Sequence, residues 1–163
     1  MRNANSITQK ILSRDDVKYY VNRWKLLGKK IVFTNGVFDI LHEGHIFSLC
    51  NAASFGDILI VGVNADTSVK RLKGDSRPVN NENARALLLA SLLITDYIIL
   101  FEEDTPLELI KTIMPDVLVK GGDYTIDQIV GAKEVITNGG EVKIVPLIDG
   151  ISTTAIIEKI ASS

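Results

Sequence analysis

The chain has two histidines, His42 and His45, set three residues apart in the run Asn35-Gly36-Val37-Phe38-Asp39 to His42-Glu43-Gly44-His45. The run follows a short β-rich segment and leads into a helical one, so His45 falls in the first turn of a helix. Free backbone N–H groups and the helix dipole make such a turn an anion site. The same dipole disfavours a protonated imidazole when no anion is bound. Imidazoles there are suited to donate hydrogen bonds to phosphate oxygens and, once protonated, to balance charge that builds up in phosphoryl transfer. Gly44 would let a phosphate approach the backbone closely. Two plainer readings stand beside this one. HxxH can hold a metal ion, although neither a Cys nor a carboxylate set accompanies it here, and two histidines can be ordinary surface residues.

Three further groups invite the same anion chemistry. Ser152, Thr153 and Thr154 open the last helical segment; Ser152 or Thr153 suits the N-cap, and a run of three suggests a second phosphate-grasping helix start. The stretch 64–77 begins with Asn64 and Asp66 and carries Lys70, Arg71, Lys73 and Arg77, four cations in eight residues. It reads as a polar loop, either solvated or closing over a polyanion. Arg85, on the helix that follows, projects to the same place or sits on a solvated face. Lys120 is followed by Gly121, Gly122 and Asp123. A Lys beside a glycine turn can set its ammonium against a phosphate as a point charge, or the segment is a plain β-turn.

The elements that must position these residues alternate along the chain. Residues 1–12 read as a loose arm. Ser13 resembles a helix start, with Val17, Tyr20, Val21, Trp24 and Leu27 at helical spacing and Gly28 as the stop. Strands are expected at 31–34, 58–63, 97–101, 117–119 and 142–145. Helices are expected at 44–54, 82–93, from Pro106 through Ile113, at 127–137 and at 153–160. The run 58–63 is continuously apolar, as in a parallel sheet covered on both faces. Five strands alternating with helices predict an α/β fold, a Rossmann-like doubly wound five-stranded parallel sheet. Ligands of such sheets bind beyond the carboxyl ends of the strands, where the histidines, the cationic stretch and Lys120 all fall.

Length and charge narrow the class. With 163 residues the chain is expected to be one domain, 1–163. Its 18 Lys+Arg against 20 Asp+Glu argue against a nucleic-acid binder that relies on a broad basic surface. A single cysteine, Cys50, cannot form an internal disulfide and fits a reducing compartment. No apolar run is long enough to span a bilayer, and the polar N-terminus lacks the apolar core of a secretory signal. The expectation is a cytoplasmic protein without membrane or nucleic-acid partners.

The segment NGVFDILHEGH closely resembles the G-x-F-D-x-x-H-x-G-H signature of the cytidylyltransferase-like nucleotidyltransferases. Gly36, Phe38, Asp39, His42, Gly44 and His45 all match. The resemblance implies that His42 and His45 contact a triphosphate and stabilise the transition state. It also implies that Asn35, Gly36, Val37 and Phe38 face nucleotide and substrate. Asp39 is read as bracing its loop through backbone N–H groups. GISTT resembles the family's second signature, I-S-S-T-x-x-R/K, but Ile157 occupies the position that often carries the basic residue, and Lys159 lies two residues later. The segments LKGDSRPVN, PDVLVKGGDYTIDQIVGAKEV and IDGISTT resemble the bacterial adenylyltransferases that act on D-glycero-D-manno-heptose 1-phosphate, over about residues 12–161.

That resemblance implies a reaction of ATP with heptose 1-phosphate to give ADP-heptose and pyrophosphate, by in-line attack at the α-phosphorus without an enzyme nucleophile. His42, His45 and Lys120 are the expected catalytic residues. Gly44, Ser152, Thr153 and Thr154 join Asn35 to Phe38 at the nucleotide. Asn64, Asp66, Arg71, Lys73, Arg77, Gly121 and Asp123 are the expected acceptor contacts. Mg²⁺ is expected to arrive on the ATP phosphates, because the sequence offers no dedicated carboxylate cluster to hold a metal. The expected partners are ATP and a sugar phosphate, a second copy of the chain as a homodimer, and a separate heptose kinase acting upstream, since such adenylyltransferases are often fused to a kinase and this chain has no kinase portion. Glycerol-3-phosphate cytidylyltransferases share HxGH and a GISTT-like segment and form the alternative enzyme class. A non-catalytic nucleotide-binding protein of the same fold is the alternative outside catalysis.

Overall fold

The computed structural model describes residues 5–148 and 150–162. In chain order the elements are α1 (Asn5–Thr8), β1 (Ile11–Leu12), α2 (Arg14–Leu26), β2 (Ile31–Gly36), α3 (Glu43–Ala53), β3 (Ile58–Asn64), α4 (Asp66–Lys73), α5 (Glu82–Ala90), β4 (Tyr97–Phe101), α6 (Leu107–Ile113), β5 (Val117–Gly121), a 3₁₀ turn (Ile126–Gln128), α7 (Ala132–Thr137), β6 (Glu141–Val145) and α8 (Thr153–Ala161). Side-chain caps start three of the helices: Ser13 accepts from Asp16 N, Asn81 from Ala84 N, and Ser152 from Ala155 N.

All strand pairs are parallel, and the order is β1-β4-β3-β2-β5-β6. An aspartate just ahead of each of three strands fixes the neighbouring strand's start. Asp57 accepts from Lys30 N at 2.8 Å, Asp96 from Leu59 N at 2.7 Å, and Asp116 from Ile31 N at 2.7 Å. One sheet face is covered by Val17, Val21 and Trp24 of α2 with Leu109, Ile110 and Ile113 of α6. The other is covered by Leu49 and Ala52 of α3 with Ala86 and Leu89 of α5. The fold is therefore α/β and Rossmann-like with helices on both faces. Among the described residues, no helix is long and apolar enough to cross a membrane.

Several expectations are corrected. The sheet has six strands rather than five. The added strand is β1, which pairs Ile11 with Ile98 and Leu12 with Ile99 at the sheet edge. Two residues are too few to display a period, so sequence pattern misses it. Residues 5–12, expected as a loose arm, thus carry α1 and a strand; residues 1–4 lie outside the described residues. The stretch after β3, expected as a loop, contains helix α4, whose polar composition hides a buried side, Ser68 and Val69. The helix expected at 127–137 is split into the 3₁₀ turn and α7. Gly131 at the break has φ +85°, and a Cβ there would lie 2.6 Å from Ile110.

The chain runs from β2 to β3 and β4 on one side, then crosses back to β5 on the other. The gap beyond the carboxyl ends of β2 and β5 is therefore the switch point at which such sheets hold ligands.

Candidate functional site

Beyond the carboxyl end of β2 the chain turns sharply. Phe38 takes φ +50°, an uncommon backbone conformation for a residue with a side chain. Gly36 makes the turn feasible: a Cβ there would lie 3.0 Å from the Phe38 ring. Phe38 is buried and packs against His45, with ring centroids 5.2 Å apart. His42 and His45 stack on each other at 3.8 Å with 26° between their planes. Gly44 contributes space: a Cβ there would press on His42 at 3.1 Å.

The Nδ1 atoms of both histidines are buried without a hydrogen-bond partner among the described residues, and so is Nη2 of Arg77. Buried polar atoms are normally paired, and here three unpaired ones belong to the motif and its neighbouring segment. Burial is the largest cause that pushes His45 down to about 4, with the charges of His42 and Lys73 adding to it. Burial also lowers His42, opposed by Glu43. Without a ligand, both imidazoles are neutral at pH 7.

Asp39 braces the turn from below. Its carboxylate accepts from Val79 N at 2.8 Å, Asn80 N at 2.9 Å and Arg77 Nε at 2.7 Å. Burial opposes its ionisation, but the backbone bonds of Asn80 and Val79 and the Arg77 guanidinium together hold its carboxyl below the usual range. The backbone groups it binds belong to the 77–80 segment, not to its own loop.

Arg85 grips the same segment from the other side. It is fully buried, and it donates from Nε to Asn80 O at 3.0 Å, from Nη1 to Val37 O at 2.7 Å and from Nη2 to Asp66 Oδ1 at 2.7 Å. Neither projection expected from the sequence describes it: Arg85 is a staple joining the end of β2 and the start of α4 to the 77–80 segment. Its position was readable, since Arg85, Ala86, Leu89 and Ala90 share one helical face and all are buried.

Beside this framework lies a cavity of about 470 Å³, lined by Asn35, Gly36 and Val37 from the β2 end, Asn64 from β3, Lys73 from α4, and Lys120 and Tyr124 from the end of β5 and beyond. Asp104 is its lining carboxylate and is already held by Arg71 Nε at 2.7 Å. Lys73 and Lys120, by contrast, have no hydrogen bond or ion pair among the described residues. Burial lowers the proton affinity of both; at Lys73, Arg77 adds to the effect and Asp39 opposes it. The cavity therefore holds positive charge that no described residue neutralises, and the Lys73 charge reaches His45 of the stacked pair.

A larger hollow of about 620 Å³ lies at the sheet edge by Arg14, Arg71 and Glu103. Its arginines are spent on Glu103, Asp104 and the Glu102 carbonyl, so it lacks free cations.

The sequence-expected residues thus divide. Asn35, Gly36, Val37, Asn64, Lys73 and Lys120 gather around one cavity. Phe38, Gly44 and Arg77 support it. Asp66 and Arg71 are engaged in ion pairs with Arg85 and Asp104. Gly121 packs near Ser48 of α3, and Asp123 is exposed. Ser152 caps α8, and among the described residues no hydrogen bond ties Ser152, Thr153 or Thr154 to the histidines. Tyr124, Gln128 and Thr105 line the cavity and were missed, because a turn residue's direction is not written in hydrophobic period. Among the described residues, no group of three or more His, Cys, Asp or Glu side chains is arranged to hold a metal ion.

The family described as cytidylyltransferase-like matches residues 33–159. A curated relative, the bifunctional protein HldE of Haemophilus ducreyi, is 56% identical over 150 residues, covering 92% of this chain and 32% of its own length. The HldE of Citrifermentans bemidjiense is 51% identical over 160 residues, 98% of this chain and 33% of its own length. The chain thus spans about a third of the length of these relatives. Among solved structures, a lipopolysaccharide core biosynthesis protein of Thermoplasma volcanium is 34% identical with a TM-score of 0.60, covering 74% of this chain and 98% of that one. The pantoate-beta-alanine ligase of Francisella tularensis, at 17% identity and TM-score 0.61 over 94% of this chain and 78% of that one, shares the fold.

Proposed function

Because the chain belongs to the cytidylyltransferase-like family, we propose that it is an adenylyltransferase that joins ATP to heptose 1-phosphate and releases pyrophosphate. The observation that carries the reading is the cavity at the switch point, in which Lys73 and Lys120 lack an ion pair among the described residues, with Lys73 close enough for its charge to act on His45 of the stacked pair. Such a site is built to receive phosphates. The choice of heptose is supported by the resemblance of LKGDSRPVN, KGGDY and IDGISTT, and by the likeness to a lipopolysaccharide core biosynthesis protein.

In this reading a phosphate oxygen of the sugar phosphate attacks the α-phosphorus of ATP, and the bond to the pyrophosphate leaving group breaks opposite it. His42 and His45 donate hydrogen bonds to the triphosphate and take up charge as the transition state forms. An anion raises their proton affinity, which burial otherwise depresses, so the neutral ligand-free pair becomes a protonated one when it is needed. Asn35 to Phe38 face the nucleotide, held in place by Arg85 and Asp39. Ser152, Thr153 and Thr154 serve the nucleotide from the start of α8. Lys73 and Lys120 hold the acceptor phosphate, with Asn64, Arg77, Gly121 and Asp123 around it. Asp66 and Arg71 act through their ion pairs rather than on the ligand. Positioning of two bound reactants contributes on the order of 7–11 kcal/mol in favourable cases.

Mg²⁺ arrives with the ATP phosphates in this reading, since it binds through phosphates and retained waters. A kinase-class reaction must supply the sugar 1-phosphate, and the reading places the chain in the cytoplasm as a single domain, with a second copy as a candidate partner. Incubation with ATP and heptose 1-phosphate tests the proposal. Equimolar ADP-heptose and pyrophosphate are expected; a folded protein that releases no pyrophosphate would sink it.

A further inference from the structure

After β5 the chain reverses through Gly121, Gly122, Asp123 and Tyr124. Gly122 has φ +121°, and a Cβ there would lie 2.9 Å from Cε2 of Tyr124. Both facts call for glycine. The 3₁₀ turn is fixed just beyond: Thr125 N donates to Gln128 Oε1 at 2.9 Å within a capping box. Between these two constraints the Tyr124 ring is folded back toward the strand end, and Lys120 Nζ lies 5.8 Å from its centroid. That is within reach of a cation–π attraction.

The same ring lines the cavity together with Lys120. Among the described residues no carboxylate pairs with the ammonium: Asp104 is taken by Arg71, and Lys73 brings a second positive charge. Lys120 is lowered by burial alone, without a compensating carboxylate. A half-buried cation without an anion has lost part of its hydration with nothing in return unless a ligand supplies the charge. The Tyr124 hydroxyl has no hydrogen bond among the described residues, so the feature in use is the ring.

We propose that Tyr124, itself 45% exposed, is a positioning residue for Lys120: its ring covers one side of the half-buried ammonium, so that Lys120 meets the acceptor's phosphate as a fixed point charge with part of its hydration removed. The proposal rests on reading the cavity as the site of a phosphorylated acceptor. Glycine at 122 lets the ring reach that position. Removal of the ring hydrates Lys120 and weakens its hold on the phosphate; removal of the hydroxyl alone does neither.

Tyr124→Ala and Tyr124→Phe separate these effects. In pyrophosphate-release kinetics, Tyr124→Ala is expected to raise the KM for heptose 1-phosphate about tenfold while the KM for ATP stays within about twofold, and Tyr124→Phe is expected to restore the acceptor KM. NMR of protein labelled at lysine side chains gives a second readout, with the Lys120 signal assigned by Lys120→Arg. Lys120 should lose its proton at a lower pH than the exposed lysines, and added inorganic phosphate should shift its signal. Both features should fade in Tyr124→Ala and persist in Tyr124→Phe. A phenylalanine variant as impaired as the alanine variant overturns the proposal, as does an alanine variant with unchanged acceptor KM and an unchanged Lys120 signal. If no acceptor is turned over at all, the functional reading fails, and the phosphate-dependent NMR signal alone decides the role of Tyr124.

Discussion

Replacing Arg85 by Met removes a buried guanidinium while keeping most of its volume. Three hydrogen bonds disappear, to Asn80 O, Val37 O and Asp66 Oδ1. Breaking one side of a buried pair costs about 3–5 kcal/mol, and each stranded buried acceptor adds to it. The Asp66 side chain is 30% exposed, so water can take up part of its charge. The expected loss therefore sits at the low end, about 3 kcal/mol. In a chain of this size each kcal/mol moves the melting temperature by about 2–4 °C, which gives a drop of about 6–12 °C. Calorimetry or circular dichroism measures it. The variant should also lose activity with ATP at temperatures where it is folded, because Val37 O no longer holds the β2 turn. Arg85→Met combined with Asp66→Asn should recover part of the stability, since the stranded charge is gone. A single variant that melts within about 2 °C of the parent refutes the staple.

Further outcomes follow from the site. His42→Ala and His45→Ala should each lower kcat by about a hundredfold or more with the fold intact, as expected when a donor that acts on transition-state charge is lost; steady-state kinetics beside thermal melting checks both. His45 is held near 4, below its unfolded value, so the folded state resists its protonation. Its contribution to stability is present above about pH 6.5 and is lost as pH falls toward about 4. Melting temperatures across that window should fall in the ligand-free protein and fall less in His45→Gln. Lys120→Ala should lower kcat/KM by a factor on the order of a hundred, as for loss of a charged hydrogen bond, while the exposed Lys70→Ala changes it little. A larger loss at Lys70 would place the polyanion along α4 instead of in the cavity.

The alternating pattern made most of the fold legible, because strands such as β3 are buried on both faces and read as unbroken apolar runs. β1 escaped because two residues carry no period, and α4 because its charged side dominates its composition. At the site, the residues of the HxGH segment announced themselves by type and spacing. What composition could not convey was which cations are spent. Arg71 and Lys73 look alike in sequence, yet Arg71 is bound to Asp104 and Lys73 is left free of ion pairs at the cavity. Gly44 was read as room for a phosphate, while its neighbour in the structure is the His42 ring. For Arg85 the sequence offers a reach toward the anion site or a solvated face, because a charge on a helix usually faces outward; only the stripe it shares with Leu89 points to burial.

The central claim is that the cavity and the paired histidines transfer an adenylyl group to a sugar phosphate. Its most direct test is the rate of pyrophosphate release with ATP and CTP, each crossed with heptose 1-phosphate and glycerol 3-phosphate. ATP with heptose 1-phosphate should be the fastest pair, and its rate should collapse in His45→Ala. Turnover with CTP equal to or faster than with ATP, or a preference for glycerol 3-phosphate, would contradict the account.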